Sequence, residues 1–392
     1  MDDTRALNAA IASAYDAVIY DPQTIPDLDV DRLFGVAALF GSTRVAKDVL
    51  DLGCGAGGQL AKAATQVTGR IVGVDLSASS CATARARLAE FGDRAEIRNA
   101  DLLDLDPDAL GQFDLVYLNG VYYVAPPQVQ ARLLEVIGRV LRPGGVAVIS
   151  YYAGAVAELR ALLYATLVDA VKAADSPRAA LEMARAHIQR LRGAVRDPVF
   201  SPPMVALLDS LSSYSDSIFY LEALGGSFSA NRASDLQARL GAQGVQFITY
   251  LDAPDAARAE TADARALEAD VEDLGMGGYH FGLFMRRDAN GIVADARAAG
   301  LAWSNTLARG EPSPDGRAVF LDQARNIDFT IGSRLTAAFL AATREAALTW
   351  DQGLAAAREA VPPGDNPQAE DATLATDLEH LWRLRAVKPT RV

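Results

Sequence analysis

The stretch VLDLGCGAGGQL at 49–60 sets Gly53, Gly55 and Gly57 between an apolar run and the start of a helix. Glycines there remove side chains where the backbone must turn sharply and approach a ligand. The helix that follows offers unpaired N–H groups. Gly53, Gly55 and Gly58 also satisfy G-x-G-x-x-G, so this run alone suits any nucleotide-like ligand, dinucleotides included. Acidic and amide groups follow at intervals. Asp51 lies two residues before Gly53 and can hold the turn or a ligand ammonium. Asp75, 24 residues further on, closes a second apolar run, where a carboxylate can take both hydroxyls of a ribose. Asp101, in NADLLDLD, can accept from an exocyclic adenine amine, and Asn119 ends a fourth run.

The elements that must carry these groups are short apolar runs separated by helical patterns. The runs are VLDL at 49–52, RIVGVDL at 70–76, AEIRN at 95–99, FDLVYLN at 113–119 and GVAVISYY at 145–152. Runs apolar on both faces suit parallel strands covered by helices on each side. The stretch from Pro127 to Leu141 repeats apolar residues at three- and four-residue steps and reads as a helix. Strands alternating with helices of this length predict βαβ units in a doubly wound α/β sheet. The four polar groups then fall at the carboxyl ends of parallel strands, where open α/β sheets bind ligands. Further on, 233–240 reads as a helix, VQFITYL at 245–251 as a strand, 255–274 as an acidic helical stretch and HFGLFMRR at 280–287 as a strand.

Composition narrows the class. The 392 residues hold 37 Lys and Arg against 50 Asp and Glu, a net charge of −13, and half are apolar. That excess of acid argues against a general nucleic-acid or anionic-membrane binder. The two cysteines, Cys54 and Cys81, make no disulfide framework and no cysteine-built zinc site, and no His/Asp/Glu cluster has metal-ligand spacing. The N-terminal residues lack the pattern of a signal peptide and no run reaches the length of a membrane span, so a cytoplasmic protein is expected.

Taken together, DLGCGAGG, IVGVDLS, NADLLDLD, FDLVYLNG and LRPGG (141–145) resemble the class I S-adenosylmethionine (SAM)-dependent methyltransferases. The resemblance covers about 46–152 and implies a seven-stranded Rossmann-like sheet, with 245–251 and 280–287 as its final pair. It implies SAM as cofactor, held by Asp51, Gly53, Cys54, Gly55, Asp75, Leu76, Asp101, Leu102 and Asn119. An NAD enzyme would share an acid near 75 but not the NGVYYV and LRPGG segments. The N-terminal AYDAVIYDPQTIPDLDVDRLFGVAALFG is similar to the lead-in of bacterial methyltransferases that carry a methyltransferase regulatory domain, some of which methylate lysines of outer-membrane proteins. That likeness implies that Tyr15 lies over the cofactor. It divides the chain into a lead-in or lid (1–45), a SAM-binding catalytic domain (46–154 and 225–288), a helical insertion capping the acceptor (155–224) and a mostly helical, winged-helix-like C-terminal accessory domain (289–392). In that last part the strongest helices are expected at 328–348 and 372–386. The family carries histidine where this chain has Asn119, tryptophan where it has Tyr123, and a Tyr-Asn-Thr-Tyr-like segment where it has Tyr151-Tyr152-Ala153-Gly154.

Methyl transfer needs positioning and an uncharged nucleophile more than covalent help. Tyr122, Tyr123 and Tyr152 cluster near the expected ligand edge and are candidate acceptor-aligning residues. An antiparallel last strand would bring His280 to the same edge as a candidate general base. The acceptor is expected to be an N or O nucleophile, of a protein lysine by family likeness, with a small metabolite as the alternative. A silent SAM-sensing module and a homodimer also fit the sequence. The C-terminal region, rich in acids, suits a protein contact better than DNA.

Overall fold

A computed structural model describes residues 2–17, 28–195, 201–251, 278–287, 295–344, 346–383 and 385–391. The five apolar runs are strands β1 (Val49–Leu52), β2 (Ile71–Asp75), β3 (Ala95–Asn99), β4 (Phe113–Leu118) and β5 (Leu141–Tyr152). They lie parallel to one another. β6 (Val245–Tyr250) and β7 (Tyr279–Arg286) complete the sheet, with β7 antiparallel to both β5 and β6. The order is β3-β2-β1-β4-β5-β7-β6. It reverses direction between β1 and β4, so the connections leaving those strands diverge and open a crevice at their carboxyl ends. The helical stretch expected at 255–274 lies outside the described residues.

Strand alternation sorts side chains onto the two faces. Val49, Ile71, Leu115, Val146 and Leu283 point to one side, into a core shared with α2 (Val30–Leu39) and α3 (Gly58–Ala64). Leu50, Val72, Val116, Ala147 and Phe284 point to the other, against α6 (Pro127–Val140) and α11 (Ala233–Gly241). Each fully buried Val, Leu or Ile contributes roughly 1.5–3 kcal/mol relative to exposure. Both faces are thus covered, as the continuous apolar runs require.

After β5 the chain makes four helices, α7 (Gly154–Ala170), α8 (Pro177–Ala194), α9 (Ser201–Ser212) and α10 (Asp216–Leu224), which enclose a small core of their own around Leu163, Ala184, Leu208 and Phe219. Among its described residues the C-terminal part combines three helices, α12 (Arg334–Ala342), α13 (Trp350–Ala360) and α14 (Pro367–Arg383), with six short strands in two three-stranded sheets. The expected single helix at 328–348 is corrected here. Ile327–Ile331 is a strand in which Phe329 and Ile331 are buried and Asp328 and Thr330 exposed. Helix α12 starts only at Arg334, where the Ser333 side chain accepts from Thr336 N–H, and it ends at Ala342. The two-residue period of Asp-Phe-Thr-Ile outranked its apolar content. Helix α2 lies between this region and the sheet. Phe34 and Leu39 share one core with Trp303, Phe339 and Trp382, and the Phe40 and Trp382 rings sit 5.7 Å apart.

The edge of the sheet opposite the crevice is pinned by one buried carboxylate. Asp114, at the start of β4, accepts from the backbone N–H of Lys47 (2.9 Å) and Asp48 (3.0 Å) and from Arg44 and Arg142 (3.0 Å each). Burial pushes its pKa up, but those donors overcome it and hold the carboxyl below its usual range. Asp114→Ala leaves two peptide N–H groups and two guanidinium groups short of an acceptor. It is expected to cost about 2–4 kcal/mol in urea unfolding, and the crevice at the other edge should be unaffected once folded.

Candidate functional site

At the carboxyl ends of β1, β2 and β4 lies a cavity of about 340 Å³. Its floor is the turn after β1. Gly53 and Cys54 donate their N–H groups to Val74 O, at 2.7 and 3.1 Å, so the turn folds over the end of β2. Gly53 has φ +83°, and a Cβ there would lie 2.2 Å from Val121 Cγ2. Gly55 N–H donates to Asp75 Oδ2 (2.8 Å) and Ser77 N–H to Asp75 Oδ1 (2.9 Å). Each oxygen of Asp75 keeps lone-pair capacity for a ligand hydroxyl. Burial outweighs those two N–H groups and raises the Asp75 pKa.

Asp51 is 3% exposed and lines the same cavity. Burial and the nearby Asp75 carboxylate push its pKa up to about 8. Among the described residues no group hydrogen-bonds its carboxylate. Two acids in one apolar crevice favour a cationic ligand, which relieves the cost of burying them. Asn119 and Gly120 close the wall at the end of β4, and Leu76 and Leu102 flank Asp75 and Asp101. All ten residues read from the sequence as cofactor-binding — Tyr15, Asp51, Gly53, Cys54, Gly55, Asp75, Leu76, Asp101, Leu102 and Asn119 — line this one cavity. Burial pushes the Cys54 thiol well above its ordinary value, so it is a packing group rather than a nucleophile.

The roof is helix α1 (Asp2–Ala17). Asn8, Ile11, Ala12 and Tyr15 face the cavity. They recur at the i, i+3, i+4, i+7 steps of a single helical stripe, a periodicity the sequence carries, whereas Tyr15 was expected here only from the family likeness. Polar pairs hold α1 along its length. Arg5 makes a two-pronged pair with Asp104 at 2.7 and 3.0 Å. Asn8 Nδ2 donates to both oxygens of Asp101, at 3.0 and 2.9 Å. Asp16 Oδ1 accepts from Ser77 Oγ at 2.7 Å and from Ser79 N–H at 3.1 Å, and these bonds lower its pKa. Asp101, also bonded to Leu103 N–H, is therefore already half used by the roof.

The four candidate catalytic residues divide, two turned away from the cavity and two beside it. Tyr122 is buried on the far face, its hydroxyl accepting from Arg239 Nη1 at 3.1 Å. His280 is also turned away, because alternation along β7 puts Tyr279 and Phe281 on one face and His280 on the other. Its ring packs on Tyr250 (4.8 Å), and Nε2 accepts from Gly278 N–H (3.2 Å). Tyr123 and Tyr152 do gather beside the cavity, in a cluster with Tyr279 and Phe228. Tyr279, not His280, reaches the site: its hydroxyl lies 3.3 Å from Asn119 Oδ1 and donates to Ser150 Oγ at 2.8 Å. Behind it, Tyr123 donates to Glu222 Oε1 at 2.6 Å, and Arg160 Nη2 donates to Glu222 Oε2 at 3.1 Å. Arg160 also lies 4.4 Å from the centre of the Tyr152 ring. Glu222 and Arg160 come from the helices after β5, where periodicity alone gives no hint of an inward-facing ion pair.

Residues 49–145 match the family model of a methyltransferase domain. An uncharacterized protein of Rickettsia prowazekii is 35% identical over 148 residues, 35% of this chain and 57% of its own length. The ubiquinone biosynthesis O-methyltransferase of Aromatoleum aromaticum is 30% identical over 117 residues, 30% of this chain and 45% of its own. The chain thus spans about half the length of the curated relatives it matches. Among solved structures, PKMT2 from Rickettsia typhi superposes with a TM-score of 0.75 at 18% identity, covering 95% of this chain and 77% of that one. The same protein has been solved in complex with AdoHcy. The described sheet therefore has the class I methyltransferase fold, with a methyltransferase domain at 49–145. Gly53→Ala should drive a methyl group into Val121 and cost clearly more stability, in thermal melts, than Gly55→Ala. The latter meets nothing within 4 Å among the described residues and pays only for its positive φ, about 1–2 kcal/mol.

Proposed function

We propose that this chain is a SAM-dependent methyltransferase that transfers a methyl group to a nitrogen or oxygen nucleophile, with a protein lysine as the leading acceptor. The observation that carries the donor half is the pair of buried carboxylates, Asp51 and Asp75, on either side of the glycine turn. Bound there, SAM supplies a methyl group activated by a sulfonium for in-line displacement. Asp75 is suited to the ribose hydroxyls, with its orientation set by Gly55 and Ser77 N–H groups. Asp51 is suited to the ammonium of the amino-acid tail, which would satisfy a carboxylate that no described protein group serves. Tyr15 and Ile11 of α1 close the cavity from above and keep water out.

The lysine reading draws support from the likeness of the N-terminal segment to bacterial methyltransferases of which some methylate lysines of outer-membrane proteins, and from a four-helix segment after β5 beside the cavity; the likeness to PKMT2 supports the fold. The residue types at Asn119, Tyr123 and 151–154 depart from the related family pattern. A small-molecule acceptor is the second reading, supported by the partial match to ubiquinone O-methyltransferases. The boundaries proposed for the parts are 1–45, 46–154 with 225–288, 155–224 and 289–392. Among the described residues no helix is long and apolar enough to cross a membrane.

Two measurements test the donor site. Asp75→Ala is expected to weaken SAM binding by about 1.5–3 kcal/mol, on the order of 10- to 150-fold; unaltered affinity would mean that Asp75 does not hold the ribose. Asp51, protonated below about pH 8, must lose its proton to pair with an ammonium. Calorimetry at about pH 6.5 in buffers of different ionisation enthalpy should therefore show about one proton released on binding, and none in Asp51→Asn. Heats independent of the buffer would exclude Asp51 as the partner of the ammonium.

A further inference from the structure

Resting on that donor reading, we propose that Tyr279, Tyr123 and Glu222 form a proton relay that takes the proton of an ammonium acceptor at the Asn119 wall, so that the acceptor is a primary amine. An amine of lysine type is protonated at neutral pH and must lose that proton before its lone pair can take a methyl group. Among the described residues that line the cavity, no further base is placed for this. Asp51 and Asp75 lie on the donor side, and His280 faces away.

A row of polar side chains leads away from the cavity wall. It starts at Tyr279, half-buried, whose hydroxyl lies within reach of Asn119 and Ser150. The Tyr279 and Tyr123 rings meet edge to face, 5.7 Å apart, with their phenol groups as neighbours. Tyr123 in turn donates to Glu222 Oε1 at 2.6 Å. Arg160, buried on α7, occupies Oε2 at 3.1 Å, so the carboxylate is held with Oε1 alone facing the tyrosines. Among the described residues, the phenols of Tyr152 on β5 and Tyr15 on α1 also feel this carboxylate, and that of Tyr214, ahead of α10, faces Arg160 and Tyr152. Burial keeps the phenols of Tyr15, Tyr152 and Tyr279 protonated, so each enters as a hydroxyl.

With the Tyr279 hydroxyl turned onto Tyr123, three protons move one place each. The ammonium N–H proton goes to Tyr279 oxygen, the Tyr279 proton to Tyr123 oxygen, and the Tyr123 proton to Glu222 Oε1. The nitrogen keeps the electron pair of its broken N–H bond, both phenols end neutral, and Glu222 ends as the acid, to be emptied into water after turnover. An ammonium and a phenol lose their protons over a similar pH range and an aliphatic alcohol only far above it, so the relay disfavours the alcohol, and the charge of the acceptor decides between the other two. The ring faces of Tyr123, Tyr152 and Tyr279 also attract a cation rather than a neutral hydroxyl.

The test uses the full chain saturated with SAM, n-butylamine and poly-L-lysine as probes, and S-adenosylhomocysteine release followed against pH. SAM affinity is measured by calorimetry alongside. Tyr279→Phe should lower kcat near neutral pH on the order of 100-fold with little change in KM. Its SAM affinity should stay within about twofold, and its rate should recover as pH approaches about 10, where solution already supplies the free amine. Tyr123→Phe should behave alike, which covers the case in which Glu222→Gln fails to fold around Arg160. Turnover of both probes would extend the inference to any primary amine, and of poly-L-lysine alone to a polypeptide lysine. An unchanged kcat in Tyr279→Phe, or a loss that no pH restores, would overturn the relay. So would normal SAM binding with turnover of catechol and of neither amine. Absence of SAM binding in the unaltered protein would instead overturn the donor reading beneath it.

Discussion

One contact organises the site: the Gly55 N–H donating to Asp75 Oδ2. It joins the turn after β1 to the end of β2, and the rest of the cavity is arranged about that joint. A buried carboxylate is stable only where donors meet it, and a glycine turn is ordered only where something holds its N–H groups. Each therefore supplies what the other lacks. Asp51, on the other side of the turn, meets no such donor among the described residues, and burial together with the Asp75 charge raises its pKa.

The sheet serves as a rigid frame with two differently treated edges. At the edge away from the crevice, Asp114 gathers four donors and ties the β1 lead-in to β4 and β5. At the crevice edge the strands end in groups left available for ligands. The helices add what the frame cannot. Helix α1 brings a roof by pairing Arg5, Asn8 and Asp16 with the loops after β2 and β3. The helices after β5 bring Glu222 and Arg160 against the tyrosines of β5 and β7. The cavity and the tyrosine cluster beside it are thus built from different stretches of chain that meet at Asn119.

The C-terminal part is coupled to the catalytic sheet rather than appended to it. Helix α2, a short apolar segment of only ten residues, buries one side against the sheet and the other against Trp303, Phe339 and Trp382. An element that completes two cores cannot leave one without exposing the other, so the region after the sheet is expected to unfold with it.

The local code reached far. Apolar runs of four to eight residues, the glycine spacing and the acids two residues before or at the end of a run were enough to order five parallel strands and to bring Asp51, Gly53, Gly55, Asp75, Asp101 and Asn119 to one cavity, whereas Tyr15 was reached only through the family likeness. Each of those signals is a short-range consequence of backbone geometry: a strand end must stop at a turn, and a turn beside a ligand must lack side chains. The acceptor side was legible only in part. His280 and Tyr279 are adjacent in sequence, and a shift of one position decides which of them enters the site; the register of β7 against β5 settled that in favour of Tyr279. Tyr122 and Tyr123 divide in the same way, one toward Arg239 and one toward Glu222. The pairing of Arg160 with Glu222 joins residues 62 positions apart on two helices. No periodicity records such a contact, because it exists only once the helices have packed. Local order was thus written in the chain, while the choice of inward face and the meeting of distant charges belonged to the tertiary structure.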